Sequence, residues 1–494
     1  MHFQVLSHAG LLVQNNNGKS LVCDPWLLGS SYWRSWWNYP PVSKDLINSL
    51  KPDYIYLTHI HWDHFHGPSL KKFSENIPII IPKGNYTRMK DDLNYLGFNN
   101  IIELKHGESF DIDAGFKITS YQIWMFLDSA VMIECEGVNL LNLNDSKHMG
   151  PTLKQITRRH PSIDFVFRSH SSANERLSYT VIDDPEASVD DLEKYIREFA
   201  MTVRATGAKY AIPFASNHCH LHKDSIHFND KVQHPKLVET YFKENNIDTP
   251  QVKVMVSGDL WSKEKGFSLT DKRWFEDRVY YLGEYLKENQ PTLDKFYQEE
   301  DETFIEKAVV DIYFKNLSNH LPFFVRQYFK GKKFTYVLHA ADQPRYIFNV
   351  DIASGTVEEI EAGTSLDFNR FPIQINTTAY IFLRGIEYKI FSHMCIGKRV
   401  FYKVTKAHKK YMEALNMVFN FYEYDMIPLR KNFSSRSIES WTMRWREIIL
   451  YTFFLRDQLL YKKIELHKYL KPARANNRNI NNSAQSQEKK LEAV

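Results

Sequence analysis

Cysteine is scarce in this sequence, and the cysteines that occur are far apart. Cys23, Cys135, Cys219 and Cys395 are the four in 494 residues, and no two of them form a C-x-x-C motif. This spacing argues against a structural zinc or iron–sulfur site built on paired thiolates. Scattered free thiols are typical of a protein that works in a reducing cytoplasm.

Long apolar runs and a strong charge of one sign are missing as well. The nearest approach to a membrane span, residues 448–455, is much shorter than the ~18 apolar residues that crossing a bilayer requires. The first ten residues lack the charged and apolar regions of a signal peptide. A net charge of +4 on 494 residues is too small to indicate a nucleic-acid partner. These absences predict a cytoplasmic protein without a transmembrane segment or a nucleic-acid ligand.

One short stretch, residues 54–67, has an unusual density of metal-ligating side chains. Its sequence, YIYLTHIHWDHFHG, begins with an apolar, β-prone run that predicts a buried strand. His59, His61, Asp63 and His64 follow within six positions. Imidazole and carboxylate donors gathered at a strand end suit zinc, iron or manganese. The alternative, a polar loop with exposed histidines, does not account for this density.

The H-x-H-x-D-H pattern resembles the first ligand motif of the metallo-β-lactamase superfamily. The resemblance implies an αββα sandwich with a metal site at one edge of two packed sheets. It also implies that His59 and His61 serve one metal ion and that Asp63 and His64 serve a second. Asp63 is the candidate catalytic residue, because in a hydrolase it could orient a metal-bound water.

An aspartate at the end of a later strand is the candidate bridging ligand. Residues 138–145, VNLLNLND, form an apolar run that predicts a strand ending in Asp145. The superfamily resemblance implies that this carboxylate bridges two metal ions, which typically lie ~3.5–4 Å apart. The alternative is an Asx cap on the following turn.

Three histidines after a predicted strand at residues 210–214 compete for the last ligand position. In the superfamily this ligand is a histidine on the loop after a late strand, so the resemblance favours His218. His220 and His222 remain alternatives, because residues at i, i+2 and i+4 of an extended loop share a face.

Several residues of the N-terminal loops are expected near the site. His8 and Asp24 lie at predicted loop ends, where each either holds a ligand in place or has a purely structural role. The aromatic loop between residues 32 and 39 forms either a wall for a sugar or nucleotide substrate or a cover over the core. Its aromatic side chains are Tyr32, Trp33, Trp36, Trp37 and Tyr39.

The chain lacks one histidine that hydrolases of the superfamily usually carry between the first motif and the bridging aspartate. Residues 120–128, SYQIWMFLD, contain no histidine. His106 lies on the preceding loop and is a poor substitute. Asp128 or His170 could complete the site instead. This departure counts against a plain hydrolase.

A narrower resemblance covers about the first half of the chain. The segments DPWL at 24–27, HIHWDH at 59–64, LNLND at 141–145 and GD at 258–259 occur in this order. They resemble the metallo-β-lactamase-type domain of CMP-N-acetylneuraminate hydroxylase and its bacterial relatives. The resemblance implies an iron-dependent oxygenase that hydroxylates an amino sugar or a nucleotide-linked sugar.

Members of that group also carry a Rieske cluster, which needs two cysteines and two histidines. Cys219 and His222 have the C-x-x-H spacing of one half of such a site, but no C-x-H motif occurs in this sequence. We therefore predict one or two transition-metal ions, with iron favoured and zinc as the alternative, and no Rieske cluster in this chain. A separate electron-transfer protein would supply electrons to act on a small-molecule substrate.

The second half of the chain has a different character. Helical patterns and a three-strand meander at residues 334–361 predict an α+β accessory domain. The predicted division is a metallo-β-lactamase-like domain at residues 1–268, the accessory domain at 269–470 and a disordered tail at 471–494. Residues 252–256 are the predicted closing strand of the first domain.

The helix around residue 444 is predicted to bury its tryptophans. In SIESWTMRWREI, Arg444 and Glu447 share one face, and Trp441 and Trp445 share another. The favoured interpretation docks the tryptophans into the core and leaves the charges in solvent. The alternative is a contact with phosphate or with a partner protein.

Three functions are consistent with these patterns. The leading hypothesis is the iron-dependent oxygenase with an external electron donor. The alternative is a metallo-hydrolase of a phosphodiester, lactone or amide, in which a metal-bound water is the nucleophile. The third is a non-catalytic metal-binding or scaffold protein.

Overall fold

The chain folds into two halves built mainly on separate sheets. The computed structural model describes residues 1–171, 175–184, 192–461 and 466–470. The predicted disordered tail, residues 471–494, lies outside these ranges. Within them, no helix is both long enough and apolar enough to cross a membrane.

Two sheets pack face to face in the first half. In spatial order the first contains Gly266–Ser268, Leu260–Ser262, His2–Val5, Leu11–Gln14, Ser20–Cys23, Tyr54–Tyr56, Ile79–Pro82 and Ile101–Leu104. The second contains Gln251–Val252, Tyr210–Phe214, Phe165–Ser169, Val138–Asn144, Asp128–Cys135, Phe116–Ile123 and Ser109–Asp113. Buried apolar side chains from both sheets, such as Phe3 and Phe116, form the core between them.

Helices cover the outer faces of both sheets. Lys44–Ser49, Gly67–Leu70 and Arg88–Tyr95 pack on the first sheet. Gly150–Arg159, Leu192–Thr206 and Pro235–Glu244 pack on the second. This layering confirms the predicted αββα sandwich.

The predicted closing strand at residues 252–256 is wrong beyond its first residue. The strand is Gln251–Val252, and the chain then leaves the sheet. Met255 is buried between the two sheets, whereas Val254 and Val256 pack with Leu293 of the long helix Arg278–Asp301. The apolar run therefore serves two cores at once and does not form a strand ladder.

The carboxyl ends of several parallel strands meet at one edge of the sandwich. Ser20–Cys23 and Tyr54–Tyr56 run parallel in the first sheet. Val138–Asn144 and Phe165–Ser169 run parallel in the second. The loops that follow these strands carry most of the predicted ligands, and the candidate site lies at this edge.

The second half has its own sheet and several helices. In spatial order the strands are Tyr179–Val181, Phe401–Val404, Ile373–Thr378, Lys333–Ala340, Gln343–Asp351 and Thr356–Ile360. The last three are the predicted meander, and the others extend it. The α-helices are Arg273–Glu276, Arg278–Asp301, Lys307–His320, Phe323–Phe329, Ala379–Tyr388, Lys409–Glu423, Ser435–Met443 and Trp445–Tyr461. In the two halves together, short 3₁₀ turns occur at Glu175–Ser178, Ile226–Lys231, Phe391–His393, Leu429–Phe433 and Leu466–Lys468.

The two halves are joined by a shared sheet and a shared core. Tyr179–Val181 comes from the first half and pairs in parallel with Phe401–Val404 of the second. Arg399 donates to Asp224 at 2.8 Å and to Glu300 at 2.5 Å, and its other terminal nitrogen donates to the carbonyl of Trp33. These contacts fix the second half against the edge that carries the candidate site.

The prediction for the helix around residue 444 is wrong about which side chains are buried. Arg444 and Glu447 are each 1% exposed and form an ion pair at 2.6 Å, whereas Trp445 is 48% exposed. Arg444 lies at the break between the helices Ser435–Met443 and Trp445–Tyr461. There it also donates to the carbonyl of Trp124, so the buried charge pair anchors a loop beside the candidate site.

Candidate metal centre

The predicted ligands converge where the two sheets end. His64 Nε2 lies 3.3 Å from Asp145 Oδ2 and 3.4 Å from Asp63 Oδ2. The ligand atoms of His59, His64 and Asp145 all lie within 4.8 Å of one another. Those of His8, Asp63 and His64 do the same. Two carboxylates and three imidazoles thus form two ligand groups that share His64.

The donor set fits a transition-metal ion. Imidazole nitrogen and carboxylate oxygen are ligands for zinc, iron and manganese alike. Asp63, His59 and His64 are almost completely buried, and two carboxylates this close to one imidazole favour a cation between them. His218 Nδ1 is also buried and has no hydrogen-bond partner among the described residues.

Charges within the cluster shift the pKa values of its members. Burial by itself would raise the pKa of Asp63, but His64 and His8 lower it well below its usual value. Burial would lower the pKa of His64, but Asp63 and Asp24 raise it well above its usual value. Burial, together with His64 and His61, lowers the pKa of His59 well below its usual value, which leaves this ring neutral and able to ligate.

Asp24 fixes the first and last parts of the H-x-H-x-D-H segment through hydrogen bonds to Thr58 and His64. Its carboxylate accepts hydrogen bonds from Thr58 N at 2.8 Å, Thr58 Oγ1 at 2.7 Å and His64 Nδ1 at 2.8 Å. With a metal ion bound, a carboxylate on Nδ1 would favour the neutral tautomer of His64 whose Nε2 lone pair faces the ion. The residue itself has φ +45°, a left-handed conformation that aspartate tolerates.

Asn144 positions Asp145 in a similar way. Asn144 has φ +42° at the end of its strand. Its Nδ2 donates to the carbonyl of Ser129 at 2.9 Å, and its Oδ1 accepts from the backbone N–H of Asp145 at 2.5 Å. The bend at Asn144 precedes Asp145, whose Oδ2 lies 3.3 Å from His64 Nε2.

His61 and His218 lie at the margin of the cluster. His61 Nδ1 is 2.9 Å from His59 Nε2. The ring of His218 stacks on Trp36, with ring centroids 3.7 Å apart and planes 8° apart, and lies 5.5 Å from the ring of His8. Both side chains are next to the ligand groups, but neither belongs to a three-residue group.

The two alternatives to His218 are engaged elsewhere. His220 Nδ1 shares a 2.9 Å hydrogen bond with Ser35. His222 lies 3.5 Å from both Asp224 and Glu300, and these three residues could in principle hold an ion. The guanidinium of Arg399 forms ion pairs with both carboxylates, so their negative charge is already compensated.

The aromatic segment is buried and supports the site, and it is not a loop throughout, because Trp36–Asn38 forms a short strand paired with His218–His220. Tyr32, Trp33, Trp36, Trp37 and Tyr39 are each at most 4% exposed. Tyr32 donates its hydroxyl hydrogen to Asp63 Oδ1 at 2.6 Å, and His8 Nε2 lies 2.9 Å from Asp63 Oδ2. The aromatic rings cover the core, as in the structural alternative, and Tyr32 in addition orients a predicted ligand.

Three residues are candidates to replace the histidine missing from residues 120–128. Of these, Asp128 lies near His61 and lines the same cavity, whereas His106 and His170 are engaged elsewhere. Both ring nitrogens of His106 are bonded, to Gln155 and to the backbone of Gln122. The ring of His170 packs against Phe199 and belongs to neither ligand group. The additional imidazole that does reach the cluster is His8.

A cavity of about 600 Å³ opens next to His61. The first half contributes Trp124, Phe126 and Asp128 to its wall. The second half contributes His393, Glu413, Tyr424 and Tyr451. The ring of His393 lies 5.0 Å from that of His61 and is buried. His393 carries no sequence signal, because no motif surrounds it and only the tertiary fold brings it to the site.

Comparison with known families agrees with this geometry. Residues 2–127 match the family model described as a β-lactamase superfamily domain. The first half is a metallo-β-lactamase-fold domain. This confirms the superfamily resemblance that the H-x-H-x-D-H pattern suggested.

Curated relatives of the metallo-β-lactamase domain include two kinds of protein. A Mycobacterium tuberculosis protein with the provisional name Rieske 2Fe-2S iron–sulfur protein is 25% identical over 251 residues, 48% of this chain and 47% of its own. The mouse cytidine monophosphate-N-acetylneuraminic acid hydroxylase is 33% identical over 134 residues, 26% of this chain and 23% of its own. The chain thus spans half or less of the length of these relatives.

Solved structures also align with the metallo-β-lactamase domain. The isothiocyanate hydrolase from Delia radicum gut bacteria is 15% identical and has a TM-score of 0.38. The alignment covers 53% of this chain and 99% of that protein.

Proposed function

We propose that this protein is a metal-dependent enzyme whose centre is the His/Asp cluster at the edge of the sandwich. The observation that carries the proposal is the pair of three-residue ligand groups that share His64 and lie beside a large cavity. His59, His61, Asp63, His64, Asp145 and His218 are the proposed ligands. His8 adds a nitrogen that the sequence pattern lacked.

The proposed reaction is hydroxylation of a small molecule, with iron as the favoured metal. Support comes from the similarity to the mouse hydroxylase and to the mycobacterial protein named for an iron–sulfur cluster. Insertion of one oxygen atom from O₂ into a C–H bond releases the other as water and consumes two electrons and two protons. A separate electron-transfer protein is the proposed source of those electrons.

The chain's own residues would organise this chemistry. Asp24 holds the ring orientation of His64, and Tyr32 and His8 hold Asp63, so the ligands keep their orientation when the metal is absent. The buried aromatic loop excludes water from the back of the cluster. Bound iron would supply the activation of O₂.

Elemental analysis of protein from cells supplied with iron and zinc tests the proposal. We expect one or two iron ions per chain, and a large loss in the His61→Ala variant. The surface variant His320→Ala is the matched control and should keep its metal. Protein that binds no metal under either supply would contradict the proposal and favour the scaffold.

A zinc hydrolase is the second candidate. The observation that favours it is the environment of Asp63, whose two oxygens are held by Tyr32 and His8 beside His64. A carboxylate fixed in this way is suited to orient a water molecule for attack. Stoichiometric zinc together with turnover of a phosphodiester, lactone or amide would replace the oxygenase.

A further inference from the structure

The cavity beside His61 has charged groups of one sign. The charged side chains in its wall are the carboxylates of Asp128 and Glu413, and no described lysine or arginine lines it. Arg444, which contacts the wall residue Trp124, is paired with Glu447. The described lining of the cavity therefore contains no lysine or arginine that could pair with a phosphate or carboxylate ligand.

The two wall carboxylates differ in their surroundings. Burial raises the pKa of Asp128, and His61, His64 and Lys147 oppose that shift, whereas Glu413 is exposed. Neither Asp128 nor Glu413 forms a hydrogen bond or ion pair through its side chain with another described residue. Glu413 is an exposed wall residue, one turn before Met417 on the same face of the helix Lys409–Glu423. Asp128 is a half-buried wall residue near His61.

Aromatic rings complete the wall. Trp124 stacks on Tyr451 with ring centroids 5.7 Å apart, and Phe126 lies against Tyr424 at 5.5 Å. The faces of such rings attract organic cations, most strongly where carboxylates lie nearby. Met417 and Ile396 add apolar surface for the rest of a ligand.

We propose that this cavity binds an organic ammonium ion with an apolar or aromatic body and rejects anionic nucleotide-linked substrates. Carboxylates and ring faces would hold the cationic group, and the apolar wall would hold the body. If the protein is the proposed enzyme, the ammonium ion is its substrate class. Binding of the ammonium ion to the cavity does not itself depend on the proposed function. The enzyme would thus differ in substrate charge from its hydroxylase relatives.

Calorimetric titration of the full-length protein at low ionic strength tests this inference without turnover. The probes are 3-phenylpropylamine, 3-phenylpropanol, 3-phenylpropanoate and cytidine monophosphate. We expect the amine to bind about tenfold more tightly than the carboxylate, and the nucleotide not to bind. The titrations are repeated after chelator treatment, because a bound metal ion would itself attract a carboxylate.

Charge-removing variants locate the effect. Asp128→Asn combined with Glu413→Gln should weaken amine binding about tenfold and leave alcohol binding unchanged. Glu239→Gln, an exposed glutamate on another helix, is the control and should bind like the unmodified protein. Amine affinity that is unchanged in the double variant would overturn the inference.

The probe series alone also decides the matter if the double variant does not fold. Carboxylate or nucleotide binding tighter than amine binding, in both metal-bound and chelator-treated protein, would refute the inference. Amine-selective binding in a protein that holds no metal would support the cavity assignment and refute the metal enzyme. The two proposals therefore fail separately.

Discussion

Asp63 depends on two neighbours that hold it in the cluster. It is buried, and its two oxygens contact the Tyr32 hydroxyl and His8 Nε2. Removal of one such partner leaves a buried charge with fewer hydrogen bonds. The placement of this candidate ligand is therefore a property of residues remote from it in sequence.

The Tyr32→Phe variant should weaken metal binding about 10- to 100-fold, because it removes a hydrogen bond that orients a ligand. It should also lower the free energy of unfolding of the metal-free protein by about 2 kcal/mol. Competition with a fluorescent chelator measures the first effect and urea denaturation the second. Tyr336→Phe is the matched control, because the buried Tyr336 hydroxyl has no hydrogen-bond partner among the described residues. Equal metal affinities in the two variants would show that Tyr32 does not support the site.

Glu423 should make stability depend on pH. Burial raises the pKa of Glu423 from 4.5 to about 7, although hydrogen bonds from Ser392 oppose the shift. The folded protein therefore keeps the proton that the unfolded chain loses. The favourable contribution of the protonated form is complete below pH ~4.5 and disappears as the pH rises through about 7, with a total loss of about 3 kcal/mol.

Urea denaturation between pH 4 and pH 8 checks this dependence. The Glu423→Gln variant, which stays neutral, should show a flatter profile over that interval. Glu239→Gln should follow the unmodified protein. If the profile of Glu423→Gln matched that of the unmodified protein, Glu423 would not be the group responsible.

The sequence could predict the contiguous part of the candidate site but not the parts contributed from far away. His59, His61, Asp63 and His64 lie in one motif, and the apolar strand before Asp145 locates that residue. Their convergence in the structure agrees with the prediction, and their role as ligands stays a prediction. The position of His393 beside His61 depends on how the second half packs against the first, and no local sequence pattern encodes that packing.

At the scale of elements, the helices around Arg444 show where periodicity fails. The apolar periodicity favours burial of the tryptophans, but the helix breaks at Arg444 and the charge pair points inward. Glu447 also accepts from the hydroxyl of Tyr451, a residue of the cavity wall. The pair is therefore part of the support of the cavity.

The Arg444→Met variant should destabilise the protein by about 4 kcal/mol, because it leaves Glu447 buried without its partner. The double variant Arg444→Met with Glu447→Leu should recover much of that loss. Urea denaturation of the single and double variants measures this coupling. Breaking the exposed Lys307–Asp311 pair is the control and should change stability by less than about 1 kcal/mol. A double variant that is no more stable than the single one would contradict this account.

The predicted strands and helices agree with the structure where an element buries a single face against a single hydrophobic core. The strands of the sandwich and the meander of the second half follow such patterns. The apolar run at residues 252–256 does not follow this pattern, because its side chains enter two different hydrophobic clusters and most of its backbone does not pair in the sheet. The strand Tyr179–Val181 was also missed, since its partner Phe401–Val404 is far along the chain.

At the scale of the whole molecule, one buried hydrophobic cluster contains residues of both halves. Trp26, Tyr32 and Trp36 belong to a buried cluster that also contains Phe382 and Phe391 of the second half. A fragment ending at residue 268 would expose these rings to water. The predicted boundary at residue 268 thus separates two units that bury apolar side chains against each other.

The fragment 1–268 should bind a hydrophobic dye strongly, aggregate and hold less metal than the full chain. The full chain should unfold in one transition, with loss of tryptophan burial and release of metal at the same temperature. Dye fluorescence, light scattering and metal analysis compare the two forms. A monomeric fragment with full metal content would show that the first half is independent.

The strand Tyr179–Val181 also has a consequence for biosynthesis. Its parallel partner Phe401–Val404 leaves the ribosome only after most of the chain has been made. Until then the nascent chain carries an unpaired strand and an uncovered tryptophan surface, both of which promote aggregation. Slow translation would lengthen that exposure, so yield in the cell should depend on chaperone capacity and on the speed of the ribosome over the second half.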